Sequence, residues 1–184
     1  MSATVPQEFL DAADISRVLS RIAREIIEIH QGVTNLALIG IHTRGVFLAK
    51  RLAEEISSIE GRPVLTGDMD ITLYRDDWTR ISAQPVVRST TIPFSVDEMH
   101  VILVDDVLFT GRTTRAALDA LMDFGRPARV ELVVLIDRGG RELPIQADYI
   151  GKFIKTGSSQ MVSVLLTESD DQDRVIIEEA GAGQ

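Results

Sequence analysis

The sequence predicts an α/β fold in which a mostly parallel sheet is flanked by helices. Short aliphatic and β-branched runs at 36–41, 101–104 and 130–136 alternate with segments of helical periodicity. No internal repeat or linker interrupts this alternation over the 184 residues, a length that suits one domain. Ligands of such folds bind beyond the carboxyl ends of the strands. We therefore expect the functional site to follow Ile39, Val104 and Ile136.

The remaining elements follow from local signals along the chain. Helices are predicted over 14–30, with Asp14 as candidate N-cap, over about 45–59 and over 113–124, before Gly125 and Pro127. Weaker strands are predicted over 63–74, 147–150 and 162–166. Residues 75–99 lack a long hydrophobic period and predict a loop, while the acidic tail after Asp170 is expected to fray.

The composition excludes several kinds of chemistry. The chain has no cysteine, and its three histidines (His30, His42 and His100) lack metal-ligand spacing, so thiolate catalysis and a zinc site are not expected. No apolar run could cross a bilayer and the N-terminus is not a signal peptide, so we expect a cytoplasmic protein without membrane contact. The net charge of −9 disfavours nucleic-acid binding unless a local basic patch overrides it.

The segment VILVDDVLFTGRTT, Val101 to Thr114, has the most specific chemistry. Its strand ends at Asp105 and Asp106, whose carboxylates suit a ribose diol or a hydrated Mg²⁺. The following turn and helix start offer backbone N–H groups and hydroxyls to a phosphate. A ligand with both features is a ribose 5-phosphate. A Walker B strand also ends in acids, but the partner loop G-x-x-x-x-G-K-[ST] is absent; a structural strand with a capping carboxylate pair is the other alternative.

This segment resembles the phosphoribosyl pyrophosphate (PRPP) motif of type I phosphoribosyltransferases. The resemblance implies a small hood, a mobile loop at about 75–99 and ribose contacts from Asp105 and Asp106. It implies that the 5′-phosphate is held by the stretch Val107, Leu108, Phe109, Thr110, Gly111, Arg112, Thr113 and Thr114.

Two further segments match the same superfamily. The loop GIHTRG, residues 40–45, corresponds to the pyrophosphate loop, which implies that Thr43 and Arg44 bind pyrophosphate. With Asp105 and Asp106, Arg44 is then a candidate catalytic residue, whereas His42 is interpreted as a loop residue. The long loop contains Arg75, Arg80 and Arg88, and we select Arg88 as a phosphate contact.

Several stretches narrow the resemblance to one family. ITLYRDD, VDDVLFTGRT, GRP and DRGGRELPIQADYIGK are similar to the PyrR family of pyrimidine-operon regulators and uracil phosphoribosyltransferases, over about residues 14–170. The resemblance implies conversion of uracil and PRPP to UMP and pyrophosphate. It also implies Mg²⁺ held through PRPP with Asp105 or Asp106, base contacts from Arg138 and Val162, and a homodimer or higher oligomer. A phosphoribosyltransferase for another base, such as hypoxanthine or guanine, is the alternative.

The same resemblance implies binding of pyrimidine-operon mRNA in response to UMP or UTP. Candidate RNA contacts are Arg17, Arg21 and Arg24, which share one face of the first helix, together with Arg141 and Lys152. Gly140 and Gln146 replace a His and an Arg of the usual family pattern, and the chain is acidic. An enzyme without RNA binding, or a nucleotide sensor without activity, therefore stays open as an alternative.

Overall fold

A computed structural model of the protein describes residues 7–74, 89–157 and 159–179. The elements in chain order are β1 (Gln7–Leu10), α1 (Ala12–His30), β2 (Leu36–Ile41), α2 (Arg44–Glu60), β3 (Leu65–Met69), β4 (His100–Leu108), α3 (Arg112–Met122), β5 (Arg129–Asp137), β6 (Tyr149–Phe153), β7 (Gln160–Leu165), α4 (Thr167–Asp170) and β8 (Arg174–Glu179). A single 3₁₀ turn, Thr72–Tyr74, follows β3. Within these described ranges, no helix is both long and apolar enough to span a membrane.

The centre of the molecule is a five-stranded parallel sheet in the order β3-β2-β4-β5-β6. Leu103 of β4 lies opposite Ile39 of β2 and Leu132 of β5, so the three most apolar strands form the middle of the sheet. Both faces are covered by helices, as expected for strands that are apolar on both sides. The predicted α/β class is confirmed.

The two faces of the sheet pack against different helices. Helices α1 and α2 cover one face, where Ile22 and Leu52 join the core around Leu38 and Val104. Helix α3 covers the other face, where Ala117 joins the core around Leu103 and Val134. Because residues alternate along each strand, one strand supplies both cores. This arrangement fixes β4 from both sides and leaves its carboxyl end open.

A second, antiparallel sheet of three strands, in the order β1-β8-β7, forms the hood. Strand β8 lies in the segment that was expected to fray, so that expectation is wrong for residues 174–179. Val175 is fully buried, and it pairs with Leu10 of β1 and Val164 of β7. Pairing on both edges with buried apolar side chains stabilises a segment whose composition is acidic.

Some predicted boundaries shift for local physical reasons. Helix α1 begins earlier, because Asp11 is its N-cap and Asp14 is the third helical residue of a capping box, with Asp14 N–H donating to Asp11 Oδ1 at 2.7 Å. Strand β3 is shorter than predicted, and β4 is longer and includes both acids. Residues 89–99 of the predicted loop pack onto the body, with Thr91 paired to Asp68 and Val96 fully buried.

Candidate active site at the carboxyl ends of the strands

A cleft of about 390 Å³ opens where β2, β3 and β4 end. Because parallel strands end at one edge of a sheet, residues far apart in sequence meet there. Six of the predicted site residues line this cleft: Thr43, Arg44, Asp105, Asp106, Val107 and Thr113. His42, Asp70, Ile71 and Thr72 complete its walls.

Asp105 and Asp106 both line the cleft, but they differ in burial. Asp105 is only 6 % exposed, whereas Asp106 is half-buried. Asp105 Oδ1 accepts a hydrogen bond from the Asp106 N–H at 3.0 Å, and Asp106 Oδ1 accepts one from the Val107 N–H at 2.9 Å. Burial raises the pKa of Asp105 well above its ordinary value, and the adjacent charge of Asp106 adds to the rise. Asp105 is therefore a carboxyl group whose ionisation is costly in the free protein.

The start of α3 is built to accept an anion. Gly111 is the N-cap in a left-handed conformation (φ 90°), and no side chain caps the first turn. The N–H groups of Thr113 and Thr114, the second and third helical residues, therefore have no side-chain cap, and together with the helix dipole they can bind a phosphate. Thr113 lines the cleft, and the Arg112 N–H donates to Thr110 Oγ1 at 3.3 Å.

Two residues of the predicted phosphate stretch point elsewhere. The Thr114 side chain is 3 % exposed and lines a separate cavity of about 210 Å³, and its hydroxyl has no hydrogen-bond partner among the described residues. Leu108 is 2 % exposed within the core beneath α3. The expectation that the Thr114 hydroxyl donates into the cleft is therefore wrong, because successive helical residues project in different directions.

The segment after β5 contacts the turn between β4 and α3, residues 109–111, which is named the phosphate turn after its predicted role. The Arg138 N–H donates to the Leu108 carbonyl at 3.0 Å, and the N–H groups of Glu142 and Leu143 donate to the Thr110 carbonyl at 2.9 and 3.1 Å. Arg141 donates to the carbonyl of Phe109 and is paired with the Asp137 carboxylate. The predicted role of Arg141 in RNA binding conflicts with this geometry, since its guanidinium is directed at protein acceptors.

The first turn of α2 packs directly on β4. A Cβ added at Gly45 would stand 2.3 Å from the carbonyl oxygen of Val104, so only glycine permits this approach. The preceding His42 N–H donates to the Met69 carbonyl at 2.9 Å. Arg44, the first residue of α2, extends to α4, where its Nη2 and Nε donate to the two carboxylate oxygens of Asp170 at 2.8 and 3.1 Å.

Arg138 lies beyond the phosphate turn, on the side of the hood. Its Nε donates to Thr156 Oγ1 at 3.0 Å and its Nη2 to the Gln160 carbonyl at 2.8 Å. The guanidinium carbon lies 4.0 Å from the centroid of the Phe109 ring. Val162, the second predicted base contact, has a buried side chain within the core, so only its backbone could reach a ligand.

The candidate RNA contacts of α1 meet one edge of the sheet. Arg21 Nη2 donates to the carbonyls of Ile150 and Gly151, both at 2.8 Å, which fixes the exposed face of α1 beside β6. Arg17 and Arg24 share that exposed face, and Lys152 is exposed on β6 itself. Three of the five predicted cations therefore lie on the exposed face of α1, whereas Lys152 follows Gly151, whose Cβ position faces α1, and so projects from the opposite face of β6.

Two residues at or beside the cleft, Asp70 and Asp170, were not predicted from the sequence. Asp70 directly follows β3, but it lay inside the strand predicted over 63–74, so the rule that selected Asp105 at a strand end did not select it. Asp170 gave no sequence signal, because its partner Arg44 is 126 residues away. Arg75, Arg80 and Arg88 lie outside the described residues.

The comparisons with known proteins agree with this geometry. Residues 7–170 match the phosphoribosyl transferase domain family. The chain is 64 % identical over 169 residues to the bifunctional protein PyrR of Desulfosudis oleivorans, covering 91 % of this chain and 93 % of the relative. It is 60 % identical over 170 residues to that of Pelotomaculum thermopropionicum, covering 92 % and 94 %.

Solved structures show the same fold. A hypoxanthine phosphoribosyltransferase of Trypanosoma cruzi superposes with a TM-score of 0.73 at 20 % identity, covering 94 % of both chains. One from Staphylococcus aureus gives 0.68 at 20 % identity, covering 94 % of this chain and 92 % of that chain. At that identity the likeness establishes the fold alone. The sequence relatives are more specific: the chain belongs to the phosphoribosyltransferase family and, within it, to the PyrR proteins.

Proposed function

We propose that the chain is a uracil phosphoribosyltransferase that converts uracil and PRPP to UMP and pyrophosphate. One observation carries the proposal: an acidic strand end, an uncapped helix N-terminus and an arginine meet around one cleft, as a ligand with a diol and two phosphate groups requires. The identity to PyrR proteins supports the choice of uracil.

In this reaction the bond between C1 of the ribose and pyrophosphate breaks, a bond to N1 of uracil forms, and the N1 proton leaves. The transition state has oxocarbenium character, so the protein contributes chiefly positioning and charge stabilisation. Asp105 and Asp106 hold the ribose hydroxyls, with their negative charge beside the cationic sugar. The N–H groups at the start of α3 hold the 5′-phosphate, while Thr43 and Arg44 hold the departing pyrophosphate.

Mg²⁺ is the cofactor that we propose, and the donors present fit it. The carboxylates of Asp105 and Asp106 are hard oxygen ligands in an open cleft. In the parts of the chain that the structure describes, no group of three or more His, Asp or Glu side chains has metal-binding geometry. Mg²⁺ would therefore arrive with PRPP and one or two of these carboxylates. When bound, it supplies charge neutralisation of the pyrophosphate leaving group.

A transfer to hypoxanthine or guanine is not favoured. The structural neighbours that act on hypoxanthine are 18–21 % identical to this chain, whereas the PyrR relatives are 55–64 % identical. The motif around Asp105 is common to the superfamily and does not discriminate between bases.

The test is a transfer assay with PRPP and Mg²⁺, in which radiolabelled uracil, hypoxanthine, guanine, xanthine and orotate are compared in parallel. UMP formation with uracil alone is the expected result. The double variant Asp105→Asn/Asp106→Asn should lose nearly all turnover, since both ribose ligands change. Turnover of another base, with none of uracil, would refute the substrate but keep the PRPP site.

A second function, regulation through RNA, is supported by the exposed face of α1, which carries Arg17, Arg21 and Arg24, and Lys152 of β6 is a further exposed cation. Cationic side chains on one surface suit the phosphates of an RNA strand. We propose that a cytoplasmic homo-oligomer binds pyrimidine-operon mRNA at this surface when UMP or UTP is present.

The RNA proposal is tested by titrating a labelled leader RNA at several salt concentrations with and without UMP. Binding should weaken steeply with salt, and Arg24→Gln should reduce the slope of log K against log salt by roughly one. Gln146→Arg, which restores the usual family cation, should tighten binding. Equal retention of the RNA by unmodified protein and by the triple variant Arg17→Gln/Arg24→Gln/Lys152→Gln would contradict the proposal.

A further inference from the structure

We propose that Asp170 of α4, which connects the hood strands β7 and β8, is a positioning residue for PRPP, acting by holding the Arg44 guanidinium at the pyrophosphate end of the cleft. The inference rests on the proposed function, because it assumes that Arg44 contacts pyrophosphate. It adds a residue that lies outside the PRPP motif and outside the residues lining the cleft.

The contact between Arg44 and Asp170 is a side-on, two-point pair. Arg44 Nη2 lies 2.8 Å from Oδ1 of Asp170, and Nε lies 3.1 Å from Oδ2. Paired parallel hydrogen bonds fix the plane of a guanidinium as well as its position. The side chains are 32 % and 18 % exposed, so the pair is partly shielded from water.

Asp170 is itself held in place. Its Oδ2 accepts a hydrogen bond from the Leu166 N–H at 3.0 Å and another from the Ser169 hydroxyl at 2.7 Å. The hydrogen bond from Arg44 holds the pKa of Asp170 far below its ordinary value, so the carboxylate is charged at neutral pH. A fixed anion with two further donors is a rigid anchor for a flexible side chain.

The pair leaves part of the guanidinium available to a ligand. Among the described residues, Nη1 of Arg44 makes no hydrogen bond, and the residue lines the cleft with Asp105 and Asp106. Asp106 attracts Arg44 electrostatically. Without Asp170 the freed arginine would be drawn toward this carboxylate, which is needed for the ribose. Asp170 therefore holds the Arg44 guanidinium in place to bind pyrophosphate, and it leaves the Asp106 carboxylate available to bind the ribose.

The same helix offers a matched control. Arg51, seven residues after Arg44 on α2, pairs with Glu168 and with Asp173 at 2.6–2.8 Å. Both arginines thus join α2 to the turn at 167–173, but the contacts of Arg51 lie outside the lining of the cleft. If Asp170 were merely structural, loss of Glu168 should have the same consequences as loss of Asp170.

The test compares Asp170→Asn with Glu168→Gln by calorimetric PRPP binding in Mg²⁺ and by steady-state kinetics. Asp170→Asn should weaken PRPP binding and raise the KM for PRPP roughly tenfold, as expected for loss of one charge-assisted pair, while the KM for uracil changes less than twofold. Glu168→Gln should bind PRPP like the unmodified protein, even where thermal unfolding shows an equal loss of Tm. Equal KM values for PRPP in both variants, or a lower one in Asp170→Asn, would overturn the proposal.

Two additional variants keep the test decisive. Ser169→Ala removes one hydrogen bond from the carboxylate and should weaken PRPP binding about two- to threefold, in the same direction, even if Asp170→Asn does not fold. In an Arg44→Gln background, Asp170→Asn should cause no further loss, because Asp170 acts through Arg44. A failure of the unmodified protein to bind PRPP would instead refute the proposed function, so the two failures are distinguishable.

Discussion

The guanidinium of Arg138 covers one face of the Phe109 ring, with its central carbon 4.0 Å from the ring centroid. Phe109 belongs to the phosphate turn and Arg138 to the segment after β5. The contact therefore joins the predicted phosphate-binding segment to the predicted base-binding residue. Hydrogen bonds to Thr156 and Gln160 hold the guanidinium, while the ring stays 43 % exposed. We propose that this planar cation on an aromatic face forms one wall of the site for the pyrimidine base.

Arg138→Lys should impair uracil use more than PRPP use. Lysine retains the charge but loses the planar stack and the two-point hydrogen bonding. We expect the KM for uracil to rise about tenfold, a loss typical of one such interaction, with the KM for PRPP within twofold of the unmodified value. Arg115→Lys on the exposed face of α3 is the control. An equal rise in both KM values would argue against a base-side role for Arg138.

Gly45→Ala should disrupt the pyrophosphate loop. Its Cβ would stand 2.3 Å from the Val104 carbonyl oxygen and 3.2 Å from the Asp105 Cα, so the start of α2 must move away from β4. Such overpacking costs about 1–3 kcal/mol, and it should lower both Tm and turnover. Gly157→Ala, where the added Cβ would stand 3.7 Å from its nearest neighbour, Gln160 Oε1, serves as the control. Unchanged turnover in Gly45→Ala would show that this close approach is dispensable.

Asp105→Asn should stabilise the free protein while abolishing activity. Burial raises the pKa of Asp105 above its unfolded value, so folding stability is lost as the pH rises from the unfolded pKa through the folded pKa. Asparagine removes this cost. We expect the variant to have a higher Tm at pH 8, by roughly 2–4 °C for each kcal/mol regained, and the difference to shrink as the pH falls. A lower Tm at pH 8 would contradict the expectation, which is measured by calorimetric unfolding.

Glu131→Ala should destabilise the fold without altering the chemistry. Glu131 is 3 % exposed, and its carboxylate bonds His30 Nε2 at 2.6 Å and the Tyr149 hydroxyl at 3.4 Å. Tyr149 has a raised pKa, chiefly because it is buried. Removing one partner of a buried charged network costs about 3–5 kcal/mol, so Tm should fall by at least about 6 °C.

This network lies near the amino-terminal ends of β4, β5 and β6, opposite the cleft. The KM values of the folded Glu131→Ala variant should therefore match those of the unmodified protein. Asp119→Ala, which breaks an exposed pair with Arg115, is the control and should barely change Tm. If Asp119→Ala lowered Tm as much as Glu131→Ala, the burial of Glu131 would not be the cause of the destabilisation.

Most features that are specified by residues close together in the sequence were predicted correctly, whereas several features that depend on distant residues were not. The strand before Asp105, the turn at Gly111 and the helix after it are specified within one continuous stretch, and all three are present. Strand β8 was missed because it gains its stability from two partner strands distant in sequence. The first residue of α1 was misassigned because two aspartates, Asp11 and Asp14, both suit a helix start and only the capping geometry separates them.

The sequence by itself determined the α/β class, the carboxylate pair near the carboxyl end of β4 and the start of α3 after Gly111. These depend on hydrophobic periodicity and backbone conformation, which act between near neighbours. Only the tertiary structure decided that Arg141 bonds protein acceptors, that Thr114 faces away from the cleft and that Asp170 pairs with Arg44. The contacts of Arg141 with Phe109 and of Arg44 with Asp170 join residues that become neighbours only after the sheet, the helices and the hood have packed, so no local pattern in the chain encodes them.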